Sequence, residues 1–150
     1  MSKFLSLIMC AALVMLLCSG KVTKHSVWLV VNNTSVDGKP VDMKFSILAP
    51  NQERSMVETQ QVNPGIQLLP EKKLKEGPYQ FVVNTNGEQV AASQAFTVDS
   101  DRWILVNYLC QDSASIMKTY GYIDPTKFKK VGDQYATVYL SIESRKPAGL

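Results

Sequence analysis

Few side chains in this sequence combine the chemistry and the spacing of a catalytic group. His25 is the only histidine among 150 residues. It falls in the short polar stretch 21–26, read as a tether, whereas a nucleophilic triad needs its imidazole fixed between a nucleophile and an orienting acid. Asp99 and Asp101, on either side of Ser100, could offer oxygens to a hard cation such as calcium. Calcium takes roughly six to eight oxygen ligands, and Asp is favoured in turns because its side chain bonds nearby backbone. A turn is therefore the reading, and no metal is predicted. A carboxylate pair for glycosidic chemistry would have to come from separate loops, which spacing cannot reveal. No catalytic residue and no cofactor are predicted, and the chain is read as a non-enzyme.

Cys110 ends the apolar run 103–109 and reads as a small buried hydrophobe, because outside the cytoplasm an exposed thiol would invite intermolecular pairing. Lys127, Lys129 and Lys130 form the one local basic excess, with Lys118, Arg145 and Lys146 as candidate neighbours. A solvated loop explains them; the functional alternative is contact with an acidic partner or with anionic headgroups. Tyr120, Tyr122, Tyr135 and Tyr139 are candidate members of the same surface, since tyrosines are enriched in binding surfaces. Asn32-Asn33-Thr34-Ser35 contains two overlapping glycosylation sequons, attributed to chance.

The N-terminus carries an address. Lys3 is followed by the apolar run 4–17 and then by Ser19 and Gly20, the order of a signal segment. The run is short for a span, which needs about 20 residues. Cys18 with Ser19-Gly20-Lys21 looks like the acylated cysteine and polar tether of bacterial lipoproteins, although Leu17 is bulkier than the Gly or Ala usual before that cysteine. Lipidation at Cys18 is favoured; cleavage after Gly20 and an uncleaved anchor are the alternatives. The expected location is the cell envelope, periplasmic or at the outer surface, or alternatively the medium. With the leader removed, or with Cys18 acylated, the exported body keeps only the Cys110 thiol, so no intrachain disulfide is available.

The elements that must position these residues read as strands. The apolar fraction of 45% and the net charge of +3 suit one globular domain and give no argument for nucleic acid. Val41, Met43, Phe45 and Ile47 alternate with polar residues, the pattern of a strand with one wet face. Runs at 79–83 and 134–142 alternate likewise. Residues 27–31 and 103–109 are continuous apolar runs of strand length, with the dense 103–109 expected at the centre. Residues 88–98 read as the strand folding back on 79–83, and 115–123 reads less strongly as a strand. Asn86-Gly87 predicts a type I′ hairpin, and the polar run 55–62 predicts an edge strand. The expected organisation is a signal segment 1–20, a tether 21–26, an all-β antiparallel sandwich of seven or eight strands over 27–143, and a polar tail 144–150.

Asp37-Gly38-Lys39-Pro40-Val41, and Leu74-x-x-Gly77-x-Tyr79-x-Phe81-x-Val83, are similar to the opening turn and strand entry of transthyretin-like or carboxypeptidase-regulatory-like sandwich domains of envelope proteins. Asp42-Met43 departs from the small residues usual after the proline. The resemblance implies binding or assembly roles and supplies no catalytic residues. The expected function is an exported, lipid-anchored accessory domain for a protein or glycan partner. A small-ligand carrier with an apolar barrel cavity, and a hydrolase with an unrecognised site, are the alternatives.

Overall fold

The computed structural model describes residues 22–150 apart from 52, 53, 86 and 88. The leader and Cys18 lie outside them. Two stacked sheets make up the domain, and the all-β sandwich expectation holds. In one sheet, β1 (Lys24–Ser35) is flanked on one side by the short strands β4 (Gly65–Leu68) and β5 (Lys72–Lys75). Its other neighbour is β8 (Arg102–Gln111), followed by β10 (Gln134–Glu143) and β9 (Lys129–Val131). The second sheet runs β3 (Arg54–Val62), β2 (Val41–Leu48), β6 (Gly77–Thr85), β7 (Val90–Val98).

Alternation decides which face each strand buries. Val41, Met43, Phe45 and Ile47 of β2 turn inward, Phe45 and Met43 at 0% exposure. Phe81 and Val83 of β6, Ile104 and Val106 of β8, and Val27, Leu29 and Val31 of β1 meet them in one core. Phe45 and Phe81 stack with ring centroids 6.3 Å apart. The dense run 103–109 becomes the central strand β8, as its apolar character requires, since neighbours cover both its edges.

Several expectations need correction. The count is ten strands among the described residues, because β4, β5 and β9 are too short to show a period. Residues 115–123, read as a strand, instead contain helix α1 (Ser113–Tyr120). Asp112 caps it by accepting from the Ser115 N–H at 2.8 Å and from the Ser115 hydroxyl at 3.0 Å. Those bonds hold the Asp112 carboxyl below the usual carboxylate range. Gly121, at φ 78°, ends the helix with its N–H on Met117 O. An Asp just before the segment and a Gly just after it are start and stop signals that outweigh two turns of apolar spacing.

The lysine-rich segment 71–76 contains β5, which pairs with the start of β1 and buries Leu74. His25 therefore belongs to a strand and not to a tether, because β1 begins at Lys24. The first strand does not stop at residue 31: Asn32-Asn33-Thr34 continue β1 to Ser35. The β6–β7 hairpin closes at Thr85↔Val90, so four residues bridge it rather than the two of a type I′ turn. Among the described residues all strand pairs are antiparallel except β1–β8, which run parallel from Val27↔Arg102 to Ser35↔Cys110. That pairing gives the sandwich two distinct ends. One holds the start of β1, Arg102 and Glu143; the other holds Ser35, Cys110, α1 and β9.

Candidate functional site

The side chains that could do chemistry are mostly consumed by structural bonds. His25 Nε2 lies 3.0 Å from Glu76 Oε1, which ties β1 to the residue following β5. The Ser26 hydroxyl donates to Glu71 and accepts from Lys73 Nζ at 2.6 Å, while Lys73 pairs with Glu71 at 2.7 Å. Hydrogen bonds from Lys73 and Ser26 lower the Glu71 pKa. A serine beside a lysine has the composition of a nucleophilic dyad. Here, however, Lys73 Nζ both donates to the hydroxyl and pairs with the Glu71 carboxylate, so the three side chains form a closed bonded cluster between β1 and β5.

The two candidate cation ligands part company. Asp99 accepts from the Arg102 guanidinium and from the Ser100 hydroxyl, and Asp101 accepts the Ser26 N–H at 2.9 Å. Among the described residues, no group of three or more His, Cys, Asp or Glu side chains is placed to hold a metal ion. The sequons are also engaged. Asn33 is 2% exposed, and its amide donates to Lys39 O and Val62 O. Asn32 Nδ2 donates to Asn107 Oδ1 across the β1–β8 pair at 3.3 Å.

At the end of the sandwich away from the start of β1, the Asp37–Pro40 turn forms the lip of a cleft of about 330 Å³. Tyr108, Cys110 and Gln134 line it, and the Cys110 thiol donates to Gln134 Oε1 at 3.1 Å. Burial raises the thiol pKa, which keeps it a hydrogen-bonding thiol and not a thiolate nucleophile. The sequence singles out this turn and this cysteine separately; the fold brings them together.

The lysine cluster is only partly assembled. Lys127 pairs with Asp124 at 3.8 Å, Lys129 Nζ donates to Pro125 O at 3.0 Å, and Lys130 stands exposed on β9 opposite Tyr135. Tyr120 meets Phe128 at 5.5 Å, so the end of α1 with Lys118 adjoins the loop. Arg145 and Lys146 follow the other end of β10. From Ala136, opposite Lys129, to Glu143 the strand advances about 23 Å at about 3.3 Å per residue. They are not part of the cluster.

Further backbone groups outside any ladder lie along the strand edges. β3, the edge that the sequence predicted, is an edge, and it is guarded. Glu58 stands opposite Phe45 and so points inward, where Lys72 of the other sheet pairs with it at 3.1 Å. A register irregularity at Ile47/Leu48 breaks the β2–β3 pair further along. Inward charge and irregular pairing both discourage edge-to-edge pairing. β7, at the opposite edge of that sheet, has neither device. Its nine residues, Val-Ala-Ala-Ser-Gln-Ala-Phe-Thr-Val, contain no charge and no proline. β10 of the facing sheet packs near β7 but forms no ladder with it.

The backbone groups on that open side can be assigned. Thr97 stands opposite Pro78, which has no N–H, so that pair cannot exchange hydrogen bonds. By alternation, Ala91, Ser93, Ala95 and Thr97 aim their N–H and C=O groups away from β6. Arg102 Nε donates to Thr97 O at 2.9 Å, which occupies one of them. The side chains of those four residues are exposed on the outer face. Sequence reasoning misses this edge because a nine-residue alternation looks the same in a central strand as at a border.

No family model matches the chain, and comparison with curated proteins and with solved structures finds no significant relative.

Proposed function

We propose that this is a non-enzymatic binding domain of the cell envelope, delivered by the segment 1–20, held through Cys18, and engaging a protein partner by strand addition at β7. The observation that carries the reading is the open edge of β7: nine uncharged residues with one side outside any ladder, in a domain whose candidate catalytic side chains bond one another. An unpaired strand offers main-chain donors and acceptors in fixed register, a recurrent mode of protein recognition. The inner faces meet in a core filled by Met43, Phe45, Phe81 and Ile104, each 0% exposed, which favours a binding surface over a carrier cavity. The transthyretin-like resemblance points the same way.

The test uses the full chain in its own cells, with a photoreactive side chain at Ala95. Crosslinking to protein is expected, and Ser93→Pro should reduce it at least about tenfold. Proline removes an outward N–H and spares the bonds to β6. Its ring also crowds the second bond of the same residue pair. Losing both, at about 1 kcal/mol each, exceeds the roughly 1.4 kcal/mol of a tenfold change. A melting curve checks that the variant is folded. Crosslinking absent at Ala95, or indifferent to proline, would remove the reading. The anchor has its own measurement, the intact mass of protein from host membranes. A mass of Cys18 to Leu150 plus acyl chains, lost in Cys18→Ala, is expected; a soluble chain beginning at Lys21 would replace the anchored domain with a secreted one.

A further inference from the structure

The sequence of β7 also bears on what pairs with it. Resting on the strand-edge reading above, we infer that its partner is β7 of a second copy, antiparallel about a two-fold axis through Gln94. In that register Val90 meets Val98, Ala91 meets Thr97, Ala92 meets Phe96, Ser93 meets Ala95, and Gln94 meets itself. Every pairing is sterically and electrostatically compatible. Small Ala92 faces large Phe96, valine faces valine, and no like charges oppose one another, because the strand has none. An isologous two-fold contact demands this self-complementarity of one segment.

Backbone parity agrees. The residues that aim their bonding groups outward are 91, 93, 95 and 97, and this register pairs them only with each other: 91 with 97, and 93 with 95. A register shifted by one residue would set outward groups against inward ones. Within this set the Thr97 carbonyl already accepts from Arg102.

Charge complementarity extends the contact beyond the strand. A groove of about 270 Å³ beside the start of β7 is lined by Val90, Ala91, Lys127, Lys129 and Tyr139. Val98 of the second copy would stand opposite Val90, and its chain would continue into that groove with Asp99. The Asp99 side chain is 66% exposed despite its bond to Arg102. Each copy would thus set Asp99 against Lys127 and Lys129 of the other, twice per dimer. The basic cluster that stands out in the sequence acquires an acidic counterpart in the same chain.

Gln94→Cys tests the geometry. Opposed residues that do not exchange hydrogen bonds have Cα atoms about 4.5 Å apart, within the roughly 4.4–6.8 Å that a disulfide spans. Full-length Gln94→Cys, purified under mild oxidation, is expected to run as a reducible covalent dimer. Gln94→Cys combined with Ser93→Pro is expected to run as a monomer. In parallel, Lys127→Glu with Lys129→Glu should weaken dimerisation of the otherwise unchanged chain by at least about tenfold, and adding Asp99→Lys should restore it by recovering the ion pairs with reversed charges. If Gln94→Cys stays monomeric while crosslinking at Ala95 still captures another protein and still responds to Ser93→Pro, self-pairing is overturned and the strand-edge reading stands. If Ser93→Pro changes neither result, both fall.

Discussion

Phe81→Ala is expected to remove about 3–5 kcal/mol from the free energy of unfolding, read as a shift of the denaturant midpoint at unchanged slope. Phe81 is 0% exposed, belongs to the central half of the β3-β2-β6-β7 sheet, and stacks on Phe45 of the adjacent strand. The loss has two sources. Transfer of the ring from water is reversed, and the space it leaves lies in a core built on strands of both sheets, with Phe45 stacked on the ring, Ile47 directly opposite and Val83 next on the same face, held on rigid strands that cannot close it. Phe81→Leu, which keeps much of the volume, should cost less than half as much. Equal effects from the two variants would mean that the core relaxes around the gap and is not the rigid sandwich described.

The second large effect belongs to a polar residue. Asn33→Leu should cost on the order of 2–4 kcal/mol although it preserves size. The Asn33 amide donates at 3.2 Å to Lys39 O in the turn before β2 and at 3.0 Å to Val62 O at the end of β3, while its Oδ1 accepts from the Ser35 N–H at 3.0 Å. It therefore joins the end of β1 to the other sheet. Leucine would leave these backbone groups unpaired where water reaches poorly. Asn33→Asp separates polarity from size, because it replaces the donor with an oxygen facing two carbonyls. Burial and those carbonyls would raise the folded-state pKa of the introduced carboxyl above its unfolded value, since both oppose the charged form. The variant should then be at its most stable below the unfolded pKa, about 3.9, and lose stability as pH rises through the folded one. Unfolding measured from about pH 3 to about pH 7 distinguishes this from a packing defect, which would show no such slope.

How much of the fold is legible in the residues varies by element. Val41 to Ile47, Tyr79 to Val83 and Ala136 to Ile142 announce both their conformation and their buried face, because a strand with one covered side must alternate. α1 is legible through its caps, Asp112 and Gly121, but its apolar residues are too few to separate a helical period from an alternating one. β5 is hidden by its lysines: only Leu74 among its four residues is buried, so its composition resembles a linker. Asn33 looks like a turn residue. Its type is favoured in turns because it bonds backbone, and it does so here from within a strand, with partners on other elements.

Residue types and their alternation are enough to establish a predominantly β domain and the inward faces of its longer strands. These are local properties, and they survive without knowledge of neighbours. The packing of the chain in three dimensions settles the rest: that β1 runs parallel to β8, that Glu58 closes one edge against Lys72, and that β7 lies open at the other. It also places the lysines beside the start of β7 while Asp99 follows its end. Strand order is set by contacts between residues far apart in the chain, whose energies depend on how two faces pack; the period of a single strand is the same in the middle of a sheet as at its border.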